Sequence, residues 1–290
     1  MNSARVKQLF TYPVKSLRGI AVDRAELTEQ GFRWDRHWMI INQNGRFISQ
    51  RQFPKMVLIH TQLSDINLIL STAGLPDLVI PLDYPNDSPE EQATYSKATI
   101  WKDHCEVVDQ GQAAAEWLTR AIATPNTIRL VRMRQGSRRA QSKPEQLGAD
   151  THTLFADAAP FLITNTASLD ALNGKMQTRG YDTVTMERFR PNIVIEGPQA
   201  FAEHQIQSLA CANYRFKQCY PCQRCVIPTI DINSGIRHPQ QQPFSIIAEL
   251  NPMPDNPKAP AFGENAILAS GSGHTMHIGD VLALDNSQTT

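Results

Sequence analysis

Short runs in which apolar and polar residues alternate dominate this chain, and a period of two over a few residues predicts half-buried strands. Residues 5–11 alternate in this way, and Tyr12-Pro13 closes the run because proline brings no ladder donor. Residues 22–27 predict a second strand, Gly31 a turn, and the bulky run 34–41 a third strand. Asn42-Gln43-Asn44-Gly45 predicts a hairpin of type I′, since Asn-Gly accepts the positive φ angles of that turn, with residues 47–51 returning antiparallel. Further strands are expected at 57–63, 68–70, 78–80, 128–133, 161–164, 192–195, 206–209, 214–217, 266–270 and 281–284, with a hairpin of 98–102 and 105–108 about Asp103-His104.

Only two stretches carry helical periodicity. Residues 112–123 place Ala114, Leu118 and Ile122 four apart on one face, with Trp117 packing beside them, and residues 166–176 follow a hydroxyl N-cap at Thr166. Residues 84–91 and 134–150 read as loops, the latter mobile and carrying Arg138-Arg139, and residues 251–260 as a linker. Many short strands, few helices and dense turns predict a mainly β (α+β) protein built from barrels or sandwiches. A boundary near Pro125 divides it into residues 1–124 and 125–290.

Composition narrows the function classes. Of 290 residues, 41% are hydrophobic and 19% charged, as in a globular protein with an ample core. Twenty-eight basic and 28 acidic side chains cancel, which argues against a nucleic-acid or membrane-surface binder. No stretch approaches the roughly 18 apolar residues of a membrane span, and the N-terminus carries no signal-peptide pattern. Five cysteines, three of them crowded at 219, 222 and 225, do not form a secreted disulfide framework, and a reducing bacterial cytoplasm is the expected compartment.

That cysteine cluster is the first candidate for chemistry. Thiolates select soft or borderline metals. Arg224 beside Cys225 is expected to lower its thiol pKa. Cys225, at the start of a strand and after a proline-containing turn, is the expected metal ligand. The alternative is a structural zinc or Fe–S site of Cys211, Cys219, Cys222 and Cys225, whose three closest sulfurs are unusually crowded for tetrahedral zinc. The loop 13–19 offers Lys15, Ser16, Arg18 and Gly19, an oxyanion cradle or, more plainly, a solvated turn. Asp35-Arg36 reads as a structural ion pair or a solvated edge. Arg190, extended because proline follows it, precedes Asn192, a polar group beside a buried strand that requires partners. The start of helix 166–176 suits a phosphate, and a simple cap explains Thr166 equally well. Asp231 is expected to shape the turn that ends at Gly235.

Five stretches taken in order resemble the MOSC family, and within it the mitochondrial amidoxime reducing component and its bacterial counterparts. They are YPVKS at 12–16, DRHWMIIN at 35–42, FADAAPFLI at 155–163, RFRPNIVIEG at 188–197 and CQRCVIPTIDINSG at 222–235. The resemblance implies an N-terminal MOSC β-barrel-like domain, a C-terminal MOSC β-barrel, and a molybdenum–molybdopterin cofactor between them. It places Cys225 as thiolate ligand to molybdenum and catalytic residue. Lys15, Ser16, Arg36, Thr166, Ser168, Arg190, Asn192 and Cys222 become cofactor-binding positions, so the loop at Lys15 and the pair at Arg36 change from turn and ion pair to site. The implied activity is reduction of small N-hydroxylated substrates such as amidoximes and N-hydroxylated bases, a detoxification. A cofactor carrier or persulfide sulfur-transfer domain without reductase activity is the alternative. Electrons are expected from a separate reductase or ferredoxin-like protein, or from a C-terminal ferredoxin-like domain beyond this sequence, since no cysteine follows Cys225.

Overall fold

The computed structural model describes residues 3–83, 95–137, 139–140 and 143–286. The loop expected at 84–91 and Arg138 lie outside the described residues. The protein is mostly β, with four α-helices among the described residues.

Seven strands close a barrel in the order Phe161–Asn165, Ile193–Glu196, Ser3–Thr11, Val281–Asn286, Ile206–Ala210, Arg215–Gln223 and Asn256–Ser270, the last pairing back onto the first. Every pairing is antiparallel except that of Phe161–Asn165 with Ile193–Glu196. A parallel pair needs a long crossover, and the helix Thr166–Thr178 supplies it. Leu9, Phe161, Ile193 and Phe216 fill the interior, with Phe161 edge-on to both Phe32 and Phe216. Adjacent strand residues face opposite ways, so Phe10 points outward and packs under Thr166–Thr178 and a second helix, Phe244–Leu250, with Tyr12, Phe189 and Phe262. The first strand therefore serves two cores.

The chain between contributes a four-stranded sheet, Trp38–Ile41, Arg129–Met133, Asp103–Asp109 and Tyr95–Ile100, and a three-stranded sheet, His60–Leu63, Asn67–Ser71 and Leu78–Pro81. The helix Gln112–Ile122 presses Ala114, Trp117, Leu118 and Ile122 onto a core with Trp38, Met56 and Leu130, as its periodicity predicts.

Several expected elements differ. The strand expected at 57–63 begins at His60, because Pro54 starts a 3-10 turn over Pro54–Leu58. The turn 42–45 is not type I′: only Gly45 takes a positive φ, of 69°, and the Asn42 side chain instead accepts the N–H groups of Asn44 and Arg46. The hairpin expected at Asp103-His104 turns at Trp101-Lys102, since Asp103 already pairs with Ile100. Within 134–150, expected as a mobile loop, Arg139 is buried and held, donating to Asp103, Thr153, Leu154 and Ala156. Much of the expected 251–260 linker is strand, because Pro252–Met253 pairs back onto Asn256 and Pro260 and the Arg224 N–H donates to Pro260 O, partners that composition does not reveal.

Candidate active site

Two loops of the N-terminal part meet through backbone hydrogen bonds: Lys15 N–H donates to Trp38 O, and Arg36 N–H to Tyr12 O, both at 2.8 Å. Tyr12 is the spacer between them. Its ring lies 4.4 Å from the Arg36 guanidinium and 4.3 Å from that of Arg190, and a side chain at Gly19 would collide with it at 2.3 Å. The first strand thus leads directly into a cradle of cations.

The cradle is braced from below. Asp35 is buried, accepts the Tyr12 N–H at 2.8 Å and pairs with Arg36, so the inward charge is the carboxylate's. Arg36 Nη1 donates to Asn192 Oδ1 at 3.0 Å, and Arg190 Nη1 donates to Leu17 O at 2.7 Å. Asn192 also accepts the Leu162 N–H, which answers the sequence question of where its polar groups go. Burial lowers the Arg190 guanidinium to about 10, still protonated at neutral pH. Arg190 is left-handed rather than extended, with φ 56°, because its N–H caps the 3-10 turn Met186–Phe189 on Glu187 O. Ser16 at 67° and Arg36 at 50° share that conformation. Three strained residues along one cleft mark a place where the surrounding structure holds the backbone against its preference.

On the opposite wall, buried Lys15 donates to Phe155 O at 2.9 Å and pairs with Asp157. Burial pushes the Lys15 amine down to about 8, against the pull of Asp157. Burial raises the Asp157 carboxyl, but Lys15 and Arg51 outweigh it and hold the group below the usual carboxylate range. Arg51 Nη2 bridges Asp157 Oδ2 at 3.3 Å and Cys225 Sγ at 3.4 Å. The cation touching Cys225 is therefore Arg51. Arg224 turns away, with Nη1 donating to Cys222 Sγ at 3.0 Å and Nη2 to Phe189 O at 2.6 Å.

Cys225 lies just past the end of strand Arg215–Gln223, not at the start of one. A 3-10 turn over Ile227–Thr229 follows it. Register shifts along the pairing with Asn256–Ser270, the last between Pro221 and Gln223, curl this strand end and aim Cys222 and Cys225 into the cleft. The result is a cavity of about 180 Å³ lined by Lys15, Ser16, Arg36, Arg190, Asn192, Cys222 and Cys225, with Arg51, Asp157 and Arg224 among its other walls.

The lining holds five cations against one carboxylate, together with the Cys225 thiol. Such a cleft suits a ligand that is both anionic and soft-metal-bearing. Arg224, which lines that wall, keeps its buried Nε without a hydrogen-bond partner among the described residues. A molybdopterin, with its phosphate and a metal open to one protein thiolate, fits this donor set.

Residues 3–125 match the MOSC N-terminal beta barrel domain, and residues 150–250 match the MOSC domain. This chain belongs to the MOSC family. Its relatives include mitochondrial amidoxime-reducing component 1 of Mus musculus, 31% identical over 96% of this chain and 82% of the relative. The Homo sapiens protein of that name is 30% identical over the same shares. The Homo sapiens molybdenum cofactor sulfurase is 29% identical over 84% of this chain and 28% of its own length.

In this MOSC chain two expected positions lie away from the cleft. The helix cap is Asn165, whose side chain accepts the Ala167 N–H, with Thr166 the first helical residue. Ser168 is wholly buried, donating to Glu203 and accepting the Phe201 N–H. The four-cysteine alternative also separates: Cys211 packs against the barrel core and Cys219 beside Tyr220 and Ile267. Among the described residues no group of three His, Cys, Asp or Glu side chains converges as a metal site. Asp231 does shape its turn, accepting from Asn233 and Ser234, and it also pairs with Arg188. Arg51 and Asp157 were missed. A lone carboxylate in the apolar stretch 155–163 was the available signal for Asp157, whereas nothing local distinguishes Arg51 from a solvated arginine.

Proposed function

We propose that this protein is a molybdenum cofactor-dependent reductase of small N-hydroxylated substrates such as amidoximes and N-hydroxylated bases, a detoxifying activity. The observation that carries this reading is the Cys225 thiol, held by Arg51 in a cavity that five cations line. The names of the amidoxime-reducing relatives support it. When bound, the cofactor supplies the two-electron redox chemistry, and the protein supplies placement and electrostatics.

Of the two thiols that line the cavity, Cys225 Sγ is the proposed soft ligand, and Arg51 Nη2 donates to it. Lys15, Ser16, Arg36, Arg190 and Asn192 hold the anionic and polar parts, while Cys222, tied to Arg224, walls the same cavity. Lys15 Nζ holds a proton at neutral pH. The cleft lies between an N-terminal part, residues 1–124, and a C-terminal part, 125–290. In the net reaction the N–O bond of R–C(NH2)=N–OH breaks, two electrons and two protons are taken up, and amidine and water leave. The electrons come from a separate reductase or ferredoxin-like protein. The five unpaired cysteines favour a reducing, cytoplasmic setting. No helix among the described residues is long and apolar enough to cross a membrane.

The test is molybdenum and pterin analysis of the purified protein, then benzamidoxime reduction with an artificial electron donor. We expect Cys225→Ser to lose turnover by at least a thousandfold and Cys222→Ser by no more than about tenfold, since only one removes the metal ligand. A molybdenum-loaded protein inert toward several N-hydroxylated compounds would instead support a cofactor carrier or persulfide-transfer domain. Equal losses in the two variants would remove Cys225 from its special role.

A further inference from the structure

Trp101 is an anomaly that the cleft does not absorb. It occupies the first turn position of the hairpin joining Tyr95–Ile100 to Asp103–Asp109, with φ 54°, a conformation that favours glycine or asparagine and is a genuine outlier for a bulky residue. It is also 44% exposed, whereas Trp38 and Trp117 are buried. A large apolar ring held in a strained backbone and left facing water calls for a use.

Its contacts aim it at the reacting end of the cleft. Indole Nε1 donates to Asp157 Oδ1 at 3.1 Å, the Arg51 guanidinium lies 4.9 Å from its ring, and Phe47 packs edge-on at 5.0 Å. Asp157 and Arg51 both line the cavity, and Arg51 reaches Cys225 Sγ. Their side chains are 41% and 26% exposed, so they stand at its mouth. Trp101 is therefore one guanidinium away from the candidate metal ligand, just outside the residues that line the cavity and with 44% of its surface exposed. Planar groups stack on such a surface at little entropic cost, because the platform is already immobilised.

From this placement we infer that Trp101 is a specificity-determining residue. It is a fixed aromatic platform at the cleft mouth that selects N-hydroxylated substrates bearing a planar aromatic group. The inference deepens the proposed reductase activity and depends on it for its kinetic test. A binding test does not.

The kinetic test compares kcat/KM for benzamidoxime and for acetamidoxime, which share a reacting group and differ in the ring. Trp101→Gly suits the positive φ and so preserves the hairpin, which a thermal melt checks. In that variant the benzamidoxime-to-acetamidoxime ratio is expected to fall roughly threefold to tenfold, mainly through KM for benzamidoxime. Trp101→Phe keeps a ring and retains most of the ratio while giving up the bond to Asp157. Taking the ratio cancels any common loss from loosening Asp157 and Arg51. An unchanged ratio in Trp101→Gly overturns the inference and leaves Trp101 a brace for Arg51.

If the loaded wild-type protein reduces neither compound, the reductase reading fails, and titration of tryptophan fluorescence decides the platform separately. The difference between wild type and Trp101→Phe isolates the Trp101 signal. Saturable quenching of that signal by benzamidoxime but not by acetamidoxime supports the platform. Absence of quenching refutes it.

Discussion

Lys15 shows how a single residue's setting becomes a functional property. Burial drives its amine from the usual lysine range to about 8, so charge that grips an anion disappears as pH rises through that value. In the proposed reading the protonated form is the binding form, so cofactor retention is expected to be full below about pH 7 and to decline on the alkaline side of 8. Molybdenum remaining after dialysis across pH 6.5 to 9.5 is expected to show that decline in wild type. Lys15→Arg keeps its charge throughout and should flatten the profile. Identical profiles would mean that another group controls retention. Lys15, Ser16 and Arg36 were legible as candidates because their motifs recur in a family. The left-handed backbone at Ser16, Arg36 and Arg190 was not legible, since no local signal distinguishes these from ordinary α or extended residues.

Among elements, the long strand Asn256–Ser270 closes the barrel, and Gly263 is where it passes most tightly. Its φ is 78°, and an added Cβ would stand 2.7 Å from Thr164 Cγ2 and 2.8 Å from the Ile163 carbonyl oxygen. The carbonyl belongs to the ladder of the neighbouring strand and cannot turn aside. Gly263→Ala is expected to cost on the order of 1–3 kcal/mol, read as a lower urea midpoint at unchanged m-value. An unchanged midpoint would show that the closure yields. Strand alternation made most of these elements readable. Where the reading failed, a pairing partner had decided: Pro252–Met253 folding back on the following residues made strand of a Pro-rich "linker", and Trp101 rather than Asp103 took the hairpin turn because Asp103 was already paired.

For the molecule as a whole, the strand Ser3–Thr11 sits between Ile193–Glu196 and Val281–Asn286, so the N-terminal part completes the barrel of the C-terminal part. Without it, two strands present unpaired edges and the interior loses Val6 and Leu9. A fragment of residues 125–290 is expected to show no cooperative urea transition and poor amide dispersion, and joining residues 3–14 to it should restore both. A cooperative transition in the bare fragment would show that the barrel closes without that strand. The same strand leads into Tyr12 and Lys15, so its place in the barrel also sets these two residues at the cleft.

The amino-acid sequence by itself determined the class of fold and the chemical candidates, because alternation, turn residues and the Lys15, Arg36, Arg190 and Cys225 motifs are local properties of the chain. Only the tertiary structure decided which cation meets the Cys225 sulfur. It sent Arg224 to Cys222 and brought Arg51 from the distant turn before Pro54, along with Asp157 and Trp101. Side-chain direction depends on the curl of a strand end and on contacts between residues far apart in sequence. Those contacts exist only once the barrel has closed.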